Sequence, residues 1–229
     1  MEILLEAKNL SKEYFKTTGF FSRTRTSIKA LDNISVSIEK GITLAVVGES
    51  GSGKSTLAKS LIRLIEIDKG SITFKNKNMR TISGEDLKKT RKNIQMIFQD
   101  PYASLNPRMK IIKIMEEPLQ IHGIGNSATQ YSKILSMIKR VGLHEDDLLK
   151  YPHQFSGGQR QRIGIARALI LEPELVICDE PVSALDVSVQ AQIVQLLKSL
   201  QKEFGLTYLF ITHDLRIVRH IANLSLIHI

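Results

Sequence analysis

One cysteine, no tryptophan, six prolines and no long apolar run are what this 229-residue sequence has little of. With Cys178 alone there is no internal disulfide, which fits a reducing compartment. A single small sulfhydryl inside Leu175-Val176-Ile177-Cys178 reads as a buried strand residue rather than a reactive one. Nowhere do about eighteen apolar residues follow one another, so a membrane-spanning helix is not expected. The opening Met1-Glu2-Ile3-Leu4-Leu5-Glu6 is acidic and lacks the basic-then-apolar order of a secretory signal. What is present is ordinary for a folded chain: 42% hydrophobic and 24% charged residues, enough for one sizeable core or a core with subdomains. Thirty-two Lys and Arg against twenty-three Asp and Glu leave a net charge of +9. That excess suits nucleic acid, an anionic membrane surface or plain solubility. Its densest cluster, Lys88-Lys89-Thr90-Arg91-Lys92, has no interleaved aromatics and reads as a solvated helix, so no nucleic-acid partner is expected.

Hydrophobic spacing then orders the chain. Ile34–Ile38 alternates with period two, as a half-buried strand does, and a turn follows at Lys40-Gly41. Thr43–Val47 is a continuous apolar run, the pattern of a strand covered on both faces. Leu57, Leu61, Leu64 and Ile65 predict one helical face, and Ser71–Phe74 a short strand. From about Pro107 to Ala168 strand signals vanish, while Ile111, Ile114 and Met115, then Ile134, Met137, Ile138 and Val141, carry helical spacing. Leu175–Cys178, Val189–Phe204 and Leu206–Thr212 return to strand, helix and strand, with a stop at Gly205. The expected fold class is α/β, a mostly parallel sheet interrupted by a helical insertion.

Gly48-Glu49-Ser50-Gly51-Ser52-Gly53-Lys54-Ser55-Thr56 matches the phosphate-loop pattern G-x-x-x-x-G-K-[ST] at every fixed position, between a predicted strand and a predicted helix. Glycines allow backbone N–H groups to turn inward on phosphates, and the following helix offers its positive end. Lys54 adds a mobile cation for the β and γ phosphates, and Ser55 a hydroxyl for Mg²⁺. Asp179 and Glu180 lie at the carboxyl end of a predicted strand, where ligands of open α/β sheets gather. Asp179 suits the Mg²⁺ shell, and Glu180 suits a general base for the attacking water. Phe155-Ser156-Gly157-Gly158-Gln159-Arg160 uncovers backbone N–H groups at another helix start, a second anion site. Either one anion touches both sites, or two chains each give one site to a shared nucleotide.

With those residues in hand, the sequence resembles an ABC-transporter ATPase from about Leu5 to Asn223. The match runs in order through Walker A at Gly48–Thr56, Gln99 in a Q-loop and the signature at Phe155–Gln159. It continues through Walker B ending at Asp179, Glu180 beside it, Ser183-Ala184-Leu185-Asp186 as a D-loop and His213 as a switch histidine. Phe155 departs from the leucine usual at the first signature position, an apolar exchange. The resemblance implies a P-loop NTPase (RecA-like) core with an antiparallel β subdomain and a helical subdomain at about 105–168. It implies ATP and Mg²⁺ as ligands, with Ser156, Gly157, Gly158 and Gln159 completing the site of a second chain and Asp186 acting across that interface. Tyr14 falls where the family stacks an aromatic on adenine, although the segment Thr17–Ser27 separates it from the next strand. Gln99 is expected to touch the metal, sense the γ-phosphate and report to the membrane subunits, and His213 to contact the γ-phosphate and pair with Glu180.

Gln99–Arg108, Glu117-Pro118-Leu119, Tyr151-Pro152-His153-Gln154 and Cys178–Ser188 narrow the resemblance to oligopeptide and dipeptide importers, at the second, F-type ATPase subunit. The implied partners are another ATPase subunit, unlike or identical, two transmembrane permeases and, indirectly, an extracytoplasmic binding protein. That places the chain on the cytoplasmic face of the membrane. Nickel and glutathione importers and a phosphonate-degrading complex share much of this wording. A small-molecule P-loop kinase would have no use for Phe155–Gln159. A soluble ABC ATPase acting on DNA or ribosomes usually carries two cassettes or a coiled-coil insertion, and neither occurs here. After Asn223 the pattern stops: Leu224–Ile229 resembles a translated transposon-end adapter and is left outside the expected domain, 1–223. A chain cut there is expected to leave a sheet edge uncovered and to dissolve poorly.

Overall fold

The computed structural model describes the backbone of residues 2–18, 24–222 and 226–228. The chain opens with two long antiparallel strands, β1 (Ile3–Thr18) and β2 (Thr24–Glu39), followed by β3 (Thr43–Val47) and helix α1 (Lys54–Leu61). Strands β4 (Lys69–Phe74) and β5 (Lys77–Asn78), helix α2 (Gly84–Asn93) and strand β6 (Ile94–Ile97) come next. A helical stretch holds α3 (Pro101–Ser104), α4 (Ile111–Ile121), α5 (Ser127–Arg140), two 3₁₀ turns and α6 (Gly157–Leu169). Strand β7 (Leu175–Asp179), helix α7 (Val187–Phe204), strand β8 (Thr207–Thr212), helix α8 (Leu215–Ile221) and strand β9 (Leu226–His228) complete the order.

Two sheets result. One is antiparallel, in the order β2-β1-β4-β5; the other runs β6-β7-β8-β3-β9 with parallel pairing. Strands β3, β7 and β8 are buried at every residue, which is why they read as unbroken apolar runs. Their side chains alternate between two cores. Val176, Cys178, Tyr208 and Phe210 face the core shared with α4 to α7, while Leu175, Ile177, Leu209 and Ile211 face α1 and the antiparallel sheet. Cys178 is fully buried, and burial pushes its thiol pKa far up, so it is packing material. No helix among the described residues is long and apolar enough to cross a membrane.

Three expectations need correction. The helical face drawn through Leu64 and Ile65 ends earlier, at Leu61: Arg63 takes φ 55°, and the N–H groups of Arg63 and Leu64 turn back to Ser60 O and Lys59 O. Leu64 is exposed as a result. Thr17–Ser27 does not separate Tyr14 from its neighbouring strand; the described part of it prolongs β1 and β2 as a hairpin, with Tyr14 opposite Ile28. Residues 19–23 of that segment lie outside the described residues. Finally, part of the tail left out of the domain belongs to the sheet: backbone Leu226–His228 pairs with Ala45–Val47, so the edge of β3 is covered. Open N–H and C=O groups on an edge pair with whatever extended segment reaches them. Residues 224, 225 and 229 lie outside the described residues.

Candidate functional site

The phosphate loop connects the end of β3 to the start of α1, and its glycines serve its shape. Gly51 and Gly53 take φ of 86° and 96°, a region L side chains rarely adopt. Gly53 also lies against β2, where an added Cβ would be 2.0 Å from Ala30 O. Lys54, 4% exposed, points its ammonium back over the loop and donates to Gly48 O at 2.8 Å and Glu49 O at 2.5 Å. Ser52 Oγ is buried and has no hydrogen-bond partner among the described residues, a polar atom suited to an anion's oxygens.

Three strand ends meet beside that loop. Ser55 Oγ donates to Asp179 Oδ1 at 3.0 Å, joining the first turn of α1 to the end of β7. Burial raises the pKa of the Asp179 carboxyl, partly opposed by the Ser55 hydrogen bond and by Lys59 and Lys54, while Glu180 reinforces the rise. A divalent cation at this position would relieve that desolvation. A hydroxyl and a carboxylate are hard donors, and among the described residues no three His, Cys, Asp or Glu side chains gather into a cage. Such a sparse oxygen set suits Mg²⁺, which keeps waters and phosphate oxygens in its shell.

Glu180 follows in the left-handed region at φ 45°, its N–H bonded to Ile211 O at 3.0 Å. A non-glycine residue held there stores strain, which neighbouring contacts must sustain. Its Oε2 lies 3.0 Å from His213 Nδ1, beyond the end of β8, and 3.4 Å from Gln99 Nε2, beyond the end of β6. Both contacts fall on one oxygen. Asp214 caps α8 next to His213, accepting from Arg216 N at 2.8 Å, and the Arg216 guanidinium holds its carboxyl below the usual range.

One open cleft of about 1220 Å³ lies where these elements meet. Of the residues singled out from sequence, Tyr14, Gly48, Glu49, Ser50, Gly51, Gly53, Lys54, Ser55, Thr56, Gln99, Glu180 and His213 border it. Asp179 lies just behind, in an adjoining hollow shared with Ser55 and Gln99. The cleft also has a wall that sequence reading missed: Ile28, Lys29 and Ala30 on β2, and Leu215. Their relevance emerges only when β2 pairs with β1 and lies beside the loop. Tyr14 is exposed at this end, with the Lys12 ammonium 5.7 Å from its ring centre.

The second glycine pair stands apart. Ser156 caps α6, accepting from Gln159 N at 3.4 Å, while Gln159 Oε1 accepts from Ser156 N at 3.0 Å. Gly157 and Gly158 have no positive φ; their glycine character answers to space. A Cβ on Gly158 would meet Val189 Cγ1 at 2.5 Å, and one on Gly157 would meet Leu185 Cδ2 at 3.3 Å. Neither Ser156–Gln159 nor Asp186, the residue before α7, borders the cleft. One chain does not bring its two glycine-rich helix starts into one cleft.

Comparison with known proteins bears on this arrangement. The family model described as ABC transporter matches residues 31–183. The chain belongs to the ABC transporter family. It is 52% identical to the oligopeptide transport ATP-binding protein AppF of Bacillus subtilis, over 97% of this chain and 68% of that one. It is 51% identical to the dipeptide transport ATP-binding protein DppF of Haemophilus influenzae, over 96% and 67%. Among solved structures, the ABC cassette MJ0796, described as a dimer in a post-hydrolysis state bound to ADP and Pi, superposes with a TM-score of 0.83 at 31% identity. That match covers 98% of this chain and 94% of the cassette. As an ABC ATPase cassette the chain binds and hydrolyses ATP, and both sheets and the helical region find counterparts in the family fold.

Proposed function

We propose that this chain is the ATP-hydrolysing subunit of an importer for oligopeptides or dipeptides, working as half of a head-to-tail ATPase pair on the cytoplasmic face of a membrane. One observation carries the reading: Lys54, Ser55, Asp179, Gln99, Glu180 and His213 converge from four strand ends, while Ser156–Gly158 on the same chain does not border the cleft they form. A chain so built has one nearly complete site and one spare half, and a second chain supplies what each lacks. Homology to AppF and DppF supports the peptide cargo.

Bound MgATP supplies the phosphoryl group that passes to water. Backbone N–H groups of Gly48–Thr56 wrap its phosphates, and Lys54 exchanges the carbonyls of Gly48 and Glu49 for phosphate oxygens. Ser55, Asp179 and Gln99 would hold Mg²⁺, which would offset the charge of the phosphates. Glu180 accepts the proton of the attacking water at Oε1, because Oε2 is engaged by His213 and Gln99. His213 fixes that carboxylate through Nδ1 and presents Nε2 toward the γ-phosphate. Tyr14 stacks on the base. Ser156, Gly157, Gly158 and Gln159 of a second chain close over the γ-phosphate, with Asp186 at the same interface. Two membrane permeases would bind near Gln99 and receive the closing motion, with a substrate-binding protein delivering cargo to them from outside.

Glu180→Gln tests this directly. Phosphate release is expected to fall about 10²- to 10⁴-fold while ATP binding persists. Sedimentation should then find a nucleotide-locked dimer. Undiminished turnover would remove Glu180 from the role of base.

A further inference from the structure

A small hollow of about 140 Å³ lies at the far end of α1 and shares no lining residue with the cleft. The buried side chains of Ile67 and Met79 border it on the apolar side. Pockets for drug-sized molecules start at about 300 Å³, so the hollow has no room for a nucleotide. Ser60, 1% exposed, also borders it, and the Ser60 hydroxyl has no hydrogen-bond partner among the described residues. A hydroxyl taken out of water and left unpaired costs free energy, so a group that pairs with it there is favoured. Arg63 and Arg80 border the same space. Arg63 is anchored through NH1, which donates to Met79 O at 3.1 Å and to Ile82 O, and Arg80 through NH1 to Gly70 O at 3.1 Å. Each anchor uses one nitrogen and leaves the rest of a planar fork for another acceptor. No ion pair among the described residues includes Arg63, Arg80 or Glu66, the carboxylate at the exposed rim. Nor does the negative end of α1 oppose an anion. Its Lys59 and Ser60 carbonyls already accept from the N–H groups of Leu64, Ile65 and Arg63.

We propose that this hollow binds a small tetrahedral oxyanion that still carries a proton, the chemistry of inorganic phosphate. Ser60 Oγ and the guanidinium groups of Arg63 and Arg80 donate to its oxygens, and arginine forks match such oxygens well. The anion's own O–H donates to the Glu66 carboxylate. Sulfate has the same shape but no proton near neutral pH, so it would set an acceptor against an acceptor at Glu66. The hollow therefore prefers phosphate. ATP hydrolysis in the cleft releases that anion. Ser60 lies six residues along α1 from Lys54, about 9 Å by helix rise. The reaction product thus has a second place to bind, on the helix that Lys54 begins.

Amide NMR on the whole chain tests the site, with the cleft saturated by MgADP and ionic strength held constant with chloride. Inorganic phosphate is the probe and sulfate the comparison. Phosphate is expected to shift the amides of 60–67 and 79–80 saturably, with sulfate binding about 5- to 100-fold more weakly. Arg80→Ala, at an exposed position outside the cleft, should weaken phosphate by about 10- to 100-fold and leave the response of 48–56 to MgADP unchanged. Ser60→Ala should weaken it by about 2- to 10-fold. Glu66→Gln should cancel the preference, because an amide N–H can donate to sulfate. Phosphate shifts confined to 48–56, or an Arg80→Ala chain that binds phosphate like the wild type, overturn the site. Equal binding of phosphate and sulfate by the wild type overturns the part given to Glu66.

Discussion

The two glycine-rich helix starts of this molecule use the same residue for different reasons. In the phosphate loop, Gly51 and Gly53 are needed for backbone conformation, with φ of 86° and 96°. At the start of α6, Gly157 and Gly158 have ordinary φ and are needed for room beside Leu185 and Val189. The first loop is surrounded by its own chemistry: Lys54, Gln99, Glu180 and His213 border the same cleft. The second is surrounded by packing and has no titrating partner in that cleft. The Ser156–Gln159 capping box engages the N–H groups of those two residues, while the uncovered backbone at Gly157 and Gly158 can serve something off the chain, and that is the physical basis for reading it as half of a shared site.

Substitutions at the glycines can break this comparison. Gly53→Ala should have the largest effect, because left-handed strain of about 1–2 kcal/mol adds to overpacking of about 1–3 kcal/mol against a backbone carbonyl that cannot swing away. Thermal unfolding and ATP binding should both suffer. Gly51→Ala, with open space around its Cβ, should show only the strain. If both lower the unfolding midpoint equally, the close approach to Ala30 is not what Gly53 answers to. Gly158→Ala comes next. Overpacking against Val189 costs about 1–3 kcal/mol, and better helix propensity returns about 1 kcal/mol. Pairing it with Val189→Ala should recover most of the loss, a double-mutant cycle that would read zero coupling if space were not the reason.

Two smaller effects sharpen the cleft side. The folded chain holds the Asp179 proton more tightly than the unfolded chain does, because burial raises this pKa from the ordinary 3.8. Stability therefore falls as pH rises from about the unfolded value through the raised folded value, and the full penalty persists at neutral pH. Asp179→Asn should raise the unfolding midpoint at pH 7 by about 2–4 °C for each kcal/mol recovered. That gain should vanish below the unfolded pKa, where both carboxyl forms are protonated, and Mg²⁺-dependent ATP binding should weaken. A variant melting at the wild-type temperature at pH 7 would show that the carboxylate is not penalised. Smallest is Tyr14→Ala: losing a stacking ring costs about 0.5–1.5 kcal/mol, or about 2- to 10-fold in ATP affinity. Tyr14→Phe should leave titration curves unchanged, since only the ring is used.

The legible parts of the sequence were those where local pattern and chemistry coincide. Thr43–Val47 and Leu175–Asp179 were readable as strands because burial on both faces leaves an unbroken apolar run, and the loop after Val47 because its glycines, lysine and serine have fixed spacing. Much of the rest depended on contacts distant in the chain. The end of α1 at Leu61 was hidden, since Leu64 and Ile65 continue the helical spacing and only the φ of Arg63 breaks it. The wall at Ile28–Ala30 was hidden because its importance comes from pairing with β1, a partner distant enough to leave no local pattern.

By itself the sequence determined which groups the protein has for phosphate and metal, and their order along the chain, because that chemistry is written in residue identity and short spacing. Only the tertiary structure decided which of those groups meet. It placed β8 between β3 and β7, so that His213 reaches Glu180 and Ser55 reaches Asp179. It also packed α6 on α3 and α7, so that Ser156–Gly158 stays out of the cleft. Meetings of that kind follow from strand order and helix packing, which are collective properties of the two cores and have no local trace in the chain.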